Sequence, residues 1–209
     1  MSENLIKIIT EDKLYPIIRC NDAKEAIEAG KAMIKGGIRL LEVNIDTPQM
    51  FEAVKELSKD AYVCAGSIIT TLQAQTALEC GAVMLSSPIF QMNMVKFAKN
   101  QRVPFVAGVS TANEAYEAWK ARVPMTKLYP TTALGGVAYI RDILRQMPFL
   151  NIMPTGNIKM DEIINYLNAG AKYVGVGRDL YAEFTPAEIT RRVNTALSDI
   201  KDYAKWINN

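Results

Sequence analysis

Short runs of aliphatic and β-branched residues alternate along the chain with longer stretches of helical period. The runs begin roughly 20–26 residues apart, which is the spacing of a repeated strand–helix unit. Helical stretches such as AKEAIEAGKAMIK and VAYIRDILRQM fill the intervals. The predicted strands are YPIIRC (15–20), LLEVNI (40–45), AYVCAGS (61–67), VMLSSP (83–88), PFVAGV (104–109), MTKLYP (125–130), NIMPTG (151–156) and YVGVG (173–177).

Strand–helix units that follow one another without a linker predict an α/β protein, a single (β/α)8 TIM barrel that spans residues 1–209. In this interpretation residues 1–14 form a short N-terminal helix, residues 15–185 the strand–helix repeats and residues 186–209 a C-terminal helix. Thr185, Pro186 and Glu188 have the pattern of a helix start. An open, doubly wound sheet is the alternative fold.

Composition narrows the class of protein. The net charge is +2 and both signs are spread along the chain, which argues against a nucleic-acid or membrane-surface partner. No apolar run approaches the roughly 20 residues of a membrane span, and the first residues lack the core of a signal peptide. Three scattered cysteines fit reduced thiols, so we expect a cytoplasmic protein.

The sequence contains no histidine. This excludes Ser-His and Cys-His nucleophile pairs and histidine-ligated zinc or iron. Any catalysis must therefore use Lys, Arg, Asp, Glu, Tyr, Ser, Thr or a carboxylate-bound metal.

Three charged residues fall at inward-facing positions of predicted strands. Alternate residues of a barrel strand face the interior, which places Arg19, Glu42 and Lys127 inside, towards the C-terminal face where barrel enzymes have their active sites. A buried lysine is costly unless it is paired or neutral, and the neutral amine is the nucleophile that attacks ketones. The cluster predicts catalysis, with a structural ion cluster as the alternative.

Glycines at the ends of the last two predicted strands indicate a phosphate site. PTGNI (154–158) and GVGRD (175–179), which includes Gly177, allow backbone N–H groups to approach a ligand. The chain has no GxxxxGK[ST] loop and no dinucleotide fingerprint, so we expect no nucleotide cofactor.

Several segments resemble, in order and spacing, the class I 2-keto-3-deoxy-6-phosphogluconate (KDPG) aldolases, which often also cleave 4-hydroxy-2-oxoglutarate (KHG). The resemblance runs from about residue 15 to the mid-180s, through GGIRLLEVNIDTP, CAGSIITTLQ, SSPIF, PFVAGVST, KLYPTTALGG, PTGNI and GVGRDLY.

The resemblance implies roles for four residues at the pyruvyl end of the substrate. Lys127 would be the Schiff-base lysine and Glu42 the acid/base. Ser67 matches a threonine that helps to hold the pyruvyl group, and Pro88 matches a proline that lines the same pocket.

The phosphate end resembles the family less closely. Thr155 and Gly156 match the start of a phosphate-contacting T-G-G, but Asn157 replaces its second glycine. Arg178 stands where a phosphate-binding serine is usual. A guanidinium can bind phosphate through two hydrogen bonds, so Arg178 either strengthens the site or indicates a substrate with a different acidic tail. The alternative is a surface arginine paired with a nearby carboxylate.

A further departure concerns the substrate carboxylate. Asp46 stands where some members of the family have an arginine, and we expect Arg19 to supply the positive charge instead.

The resemblance implies a lyase that cleaves KDPG to pyruvate and glyceraldehyde 3-phosphate without a metal or cofactor, in a homotrimer. The substrate could instead be KHG or 2-keto-3-deoxy-6-phosphogalactonate. A barrel isomerase or decarboxylase, a carboxylate-metal aldolase and a non-catalytic phosphate-binding barrel are the other hypotheses.

Overall fold

The predicted strands form one parallel sheet that curls into a barrel. The structure is a computed structural model that describes residues 2–207. Neighbouring strands follow in the order β7-β6-β5-β4-β3-β2-β1-β8, and β7 lies beside β8 where the barrel closes. The strands are β1 Leu14–Ile18, β2 Leu40–Asn44, β3 Tyr62–Gly66, β4 Met84–Ser87, β5 Phe105–Val109, β6 Met125–Leu128, β7 Ile152–Pro154 and β8 Val174–Val176. The predicted TIM barrel is confirmed, and the open sheet is excluded.

Helices surround this barrel, one or more after each strand, with short 3₁₀ turns at Thr132–Leu134 and Met160–Glu162. The ends of the predicted terminal helices at residues 1, 208 and 209 lie outside the described residues. The helices are α1 Ser2–Asp12, α2 Ala23–Lys35, α3 Met50–Leu57, α4 Thr71–Glu79, α5 Met92–Gln101, α6 Ala112–Lys120, α7 Gly136–Gln146, α8 Ile163–Asn168, α9 Arg178–Tyr181 and α10 Pro186–Ile207. None of them, within the described range, is long and apolar enough to cross a membrane.

Local sequence signals explain several helix boundaries. Thr70 and Thr111 begin α4 and α6 with complete capping boxes. The turn after α4 places Gly81 at φ +100°, in the left-handed region that glycine adopts without strain.

Strand alternation divides the apolar side chains into two cores. Leu41, Val43 and Ile45 pack in the large outer core between strands and helices. Leu40 and the inward residues of the other strands form a second cluster inside the barrel. The inward and outward faces predicted for β2 are therefore confirmed.

Helix α1 closes the N-terminal end of the barrel. Its residues Leu5, Ile8 and Ile9 are buried in the interior cluster. Because this end is sealed by apolar side chains, solvent reaches the polar interior residues from the opposite, C-terminal end.

Candidate active site

A buried ion pair lies inside the barrel between β2 and β6. Lys127 Nζ is 2.5 Å from Glu42 Oε1 and 2.7 Å from Oε2, so it donates to both carboxylate oxygens. Glu42 is completely buried and Lys127 is 8% exposed. Two of the three charged residues predicted to converge therefore meet.

A glycine makes room for this carboxylate. A Cβ atom on Gly66, in β3, would lie 2.7 Å from Glu42 Cδ and would overlap Asn44 Oδ1. Asn44 is itself buried, and its Oδ1 accepts no hydrogen bond from any residue that the structure describes. The carboxylate is thus held against β3 by close packing, with an amide oxygen beside it.

A tyrosine that the sequence analysis did not single out contacts the same carboxylate. The Tyr15 hydroxyl donates to Glu42 Oε2 at 3.1 Å, and both residues are completely buried. Burial, and then the nearby Cys64 and Glu42, raise the pKa of Tyr15 well above its ordinary value, so its hydroxyl stays protonated. The strand alternation that identified Glu42 also places Tyr15 inward.

A cavity of about 400 Å³ opens at the C-terminal ends of the strands, and Lys127 is among the residues that line it. The predicted residues of the phosphate end line the same cavity: Thr155, Gly156, Asn157, Gly177 and Arg178. Tyr129, Lys159 and Asp179 also line it, although the sequence analysis did not name them as site residues.

The interior position predicted for Arg19 is wrong. Strand β1 ends at Ile18, so the alternation of inward and outward residues does not extend to Arg19. Its side chain is 57% exposed at the cavity mouth, and its Nε donates to Asp46 at 2.8 Å. The arginine therefore balances Asp46 at the rim and is not part of the buried cluster.

Ser67 and Pro88 are outside the set of residues that line the cavity, although both follow strands that point towards it. Ser67 comes directly after Gly66 and is half-buried, with φ +59°. Pro88 is exposed, and its carbonyl group passes so close to Gly108 that a side chain there would overlap it. Gly108 pairs in register with Lys127, so the loop after β4 reaches the strand beside the lysine.

Hydrogen bonds join the end of β6 to the loop after β7. Thr131 N donates to Thr155 O at 2.8 Å, and Thr155 N donates to Leu128 O at 3.0 Å. Thr132 Oγ1 donates to Gly156 O at 2.6 Å. The loop that carries the predicted phosphate contacts is therefore fixed to the strand that carries Lys127.

Positive charges lie around the mouth of the cavity. Lys159 Nζ is 2.9 Å from Asp179 Oδ1, and the backbone N–H of Met160 donates to the other oxygen at 2.9 Å. Arg178 is exposed, and its guanidinium forms no ion pair with any carboxylate whose side chain the structure describes. The charge of Arg178 is thus free to contact an anion in the cavity.

Comparison with known proteins identifies the family. The model of the KDPG and KHG aldolases matches residues 5–201. The chain belongs to this aldolase family.

Individual relatives agree with this assignment to the aldolases. The chain is 28% identical over 158 residues to the 2-dehydro-3-deoxy-phosphogluconate aldolase of Treponema pallidum. The aligned segment covers 74% of this chain and 75% of the relative. The KDPG aldolase of Zymomonas mobilis ZM4 with 3-phosphoglycerate superposes with a TM-score of 0.86 at 23% identity and covers 95% of this chain and 97% of its own. The KDPG aldolase of Legionella pneumophila, with pyruvate captured as a covalent carbinolamine, superposes with a TM-score of 0.81 at 24% identity. This match covers 90% of the present chain and 96% of the Legionella chain. These two structural likenesses show the shared barrel.

The site of this aldolase contains the groups that amine chemistry at a ketone requires. Lys127 can act as a nucleophile once it gives up a proton, and Glu42 is within hydrogen-bond distance to accept it. Within residues 2–207, no three acidic or cysteine side chains come together as a metal-ligand group.

Proposed function

We propose that this protein is a class I aldolase that cleaves a 2-keto-4-hydroxy acid, with KDPG as its substrate, into pyruvate and glyceraldehyde 3-phosphate. One observation carries the proposal: a lysine that lines the active-site cavity has both oxygens of a buried carboxylate against its amine. Burial of a charged pair stabilises a fold poorly compared with apolar packing, so its position below the cavity favours a catalytic role.

Lys127 begins the reaction as the nucleophile. Its ammonium transfers a proton to Glu42, and the neutral amine attacks the C2 carbonyl carbon of the substrate. The resulting carbinolamine loses its hydroxyl group as water, with a proton supplied by Glu42, and leaves a protonated imine on Lys127.

Glu42 then serves as the base for carbon–carbon cleavage. It accepts the C4 hydroxyl proton, directly or through a water molecule, as the C3–C4 bond breaks. The electron pair of that bond moves to form the C2–C3 double bond of an enamine, and the imine nitrogen takes up the C=N pair. The aldehyde leaves, C3 is protonated, and hydrolysis releases pyruvate from Lys127.

The pyruvyl group of the substrate is proposed to lie near the ends of β3 and β4. Ser67 and Pro88 follow these strands, and the close approach of Pro88 to Gly108 brings its loop to the strand beside Lys127. At the rim, Arg19 would meet the substrate carboxylate while it remains hydrogen-bonded to Asp46.

The terminal phosphate is proposed to bind at the opposite side of the cavity. Backbone N–H groups near Gly156, Asn157 and Gly177 are available there, and Thr155 supports the loop. Arg178 adds a positive charge that has no carboxylate partner among the described residues. This charge favours a phosphorylated substrate over KHG.

A panel of 2-keto acids, with formation of pyruvate as the readout, tests the proposal. We expect turnover of KDPG, slower turnover of KHG, and no pyruvate from 2-oxoglutarate, which is KHG without its 4-hydroxyl group. A preference for 2-keto-3-deoxy-6-phosphogalactonate would leave the proposed class I mechanism in place and would change only the proposed substrate. Failure to release pyruvate from any 2-keto-4-hydroxy acid would contradict the proposal.

We also propose a homotrimer in the cytoplasm. The trimer rests on the family resemblance, and sedimentation at equilibrium measures it. The cytoplasmic location is supported by the three cysteines, Cys20, Cys64 and Cys80, all of which are free thiols. Fractionation of the source cells tests the location.

A further inference from the structure

The carboxylate of Glu42 is held from two directions inside the barrel. Lys127 donates to both of its oxygens from the side of the cavity, at 2.5 and 2.7 Å. Tyr15 donates to Oε2 alone, at 3.1 Å. Oε2 therefore accepts from two groups, whereas Oε1 accepts from the lysine.

The hydrogen bonds from Lys127 and Tyr15 cannot hold the Glu42 carboxylate equally well throughout a catalytic cycle that forms an imine on Lys127. An ammonium has three N–H donors, but a protonated imine on the same nitrogen retains one. Lys127 therefore loses most of its hydrogen-bonding capacity towards Glu42 when the substrate is attached. Tyr15 is completely buried and is not among the residues that line the cavity, so the substrate leaves its bond unchanged.

The surroundings strengthen a hydrogen bond at this point. Helix α1 seals the barrel below, and Tyr15 belongs to the apolar interior cluster. A hydrogen bond to a charged oxygen is stronger in such a dry environment than in water. Cys64 lies beside Tyr15, and burial raises the pKa of its thiol, so the thiol does not compete as a base at neutral pH.

We propose that Tyr15 is a positioning residue for Glu42. Its hydroxyl fixes Oε2 as a hydrogen-bond acceptor, keeps the carboxylate in place when Lys127 becomes an imine, and leaves Oε1 as the oxygen that accepts and returns protons. This inference rests on the proposed aldolase function.

Hydrogen exchange at C3 of bound pyruvate tests the positioning of Glu42 by Tyr15 on its own. In the protonated imine of pyruvate with Lys127, the C3–H bond breaks and the proton goes to Glu42 Oε1. The electron pair of that bond forms the C2–C3 double bond of the enamine, and the imine nitrogen takes up the C=N pair. Return of a deuteron from solvent labels the methyl group without any aldehyde. The exchange therefore measures proton transfer by Glu42 separately from carbon–carbon cleavage.

The test compares Tyr15→Phe with Tyr173→Phe. Tyr173 is also buried in the barrel interior, and its hydroxyl has no hydrogen-bond partner among the described residues, so it is a matched control. Deuterium exchange into pyruvate is followed by NMR, and the imine is trapped with borohydride. We expect Tyr15→Phe to slow exchange and kcat by roughly tenfold, while KM and the fraction trapped at saturating pyruvate stay near those of the parent. Tyr173→Phe should leave all four quantities unchanged.

A second measurement does not depend on turnover. The carboxyl carbon resonance of Glu42, identified by its loss in Glu42→Gln, should move in Tyr15→Phe and stay in place in Tyr173→Phe. An unmoved resonance, parent-like exchange in Tyr15→Phe, or equal losses in the two variants would overturn the role of Tyr15. A parent enzyme that traps no pyruvate would overturn the proposed function instead.

Discussion

Lys127 and Glu42 should behave in stability measurements as one coupled unit. Lys127→Met leaves a completely buried carboxylate without its counter-charge. Removing one partner of such a pair lowers the free energy of unfolding by about 3–5 kcal/mol. Replacing both residues, as Lys127→Met with Glu42→Leu, removes the uncompensated charge. Comparable double replacements range from neutral to about 1–4 kcal/mol stabilising.

Tyr15 reduces the expected gain of the double variant. Its hydroxyl donates to Glu42 and loses this acceptor when residue 42 becomes leucine. A buried donor without a partner costs about 1–3 kcal/mol. The double variant should therefore lie within about 3 kcal/mol of the parent in its free energy of unfolding. Adding Tyr15→Phe to the double variant should raise its free energy of unfolding by roughly 1–3 kcal/mol, because the unpartnered hydroxyl is removed.

Equilibrium unfolding in urea at neutral pH and one fixed protein concentration measures these differences. The two single variants and the double variant form a double-mutant cycle, whose interaction free energy should be at least about 2 kcal/mol. If the losses of Lys127→Met and Glu42→Leu simply added, the two side chains would not be a coupled buried pair, and the reasoning would be refuted.

Three further predictions concern turnover and pH. Glu42→Gln should lower kcat by about 10²–10⁴-fold, the span of a general acid/base, and a parent-like kcat would remove Glu42 from the mechanism. Arg178→Ala should lower kcat/KM for KDPG by about one to two decades and leave KHG nearly unaffected, whereas equal losses would indicate a disturbed cavity. For Asp179, partial burial opposes the shift, but hydrogen bonds from Lys159 and the Met160 N–H hold the pKa below its ordinary value. Its contribution, about 1 kcal/mol or less at this partly exposed site, should be present above about pH 4 and lost as pH falls. The Tm difference between the parent and Asp179→Asn should therefore shrink as the pH is lowered below about 4. A Tm difference that stays constant with pH would contradict the lowered pKa of Asp179.

Strand alternation predicted the interior of the site because it is a property of the backbone. Glu42 and Lys127 lie in the middle of their strands, where the inward and outward faces are fixed by the pleat. Arg19 follows the end of β1, where no pleat determines the direction of a side chain. Tyr15 obeys the same alternation and was missed because a tyrosine near the start of a strand also fits an apolar interior.

Other features of the site depend on contacts between strands that one sequence does not specify. Position 66 has no room for a side chain, because the carboxylate of Glu42 and the amide of Asn44 occupy the space that a Cβ atom would need. Lys159, in the loop after β7, reaches Asp179, which lies in helix α9 about twenty residues further along the chain. Both facts require the relative placement of neighbouring strands and loops, which only the folded barrel provides.

Formation of a covalent imine on Lys127 is the central claim, and reduction with borohydride in the presence of pyruvate tests it most directly. We expect one irreversible adduct per chain, mapped to Lys127 by mass spectrometry of peptides. Lys159 lines the same cavity and serves as an internal control, because its side chain is 63% exposed and pairs with Asp179 outside the buried site. An adduct on Lys159 or another lysine, or no adduct at saturating pyruvate, would contradict the assignment of Lys127 as the Schiff-base residue.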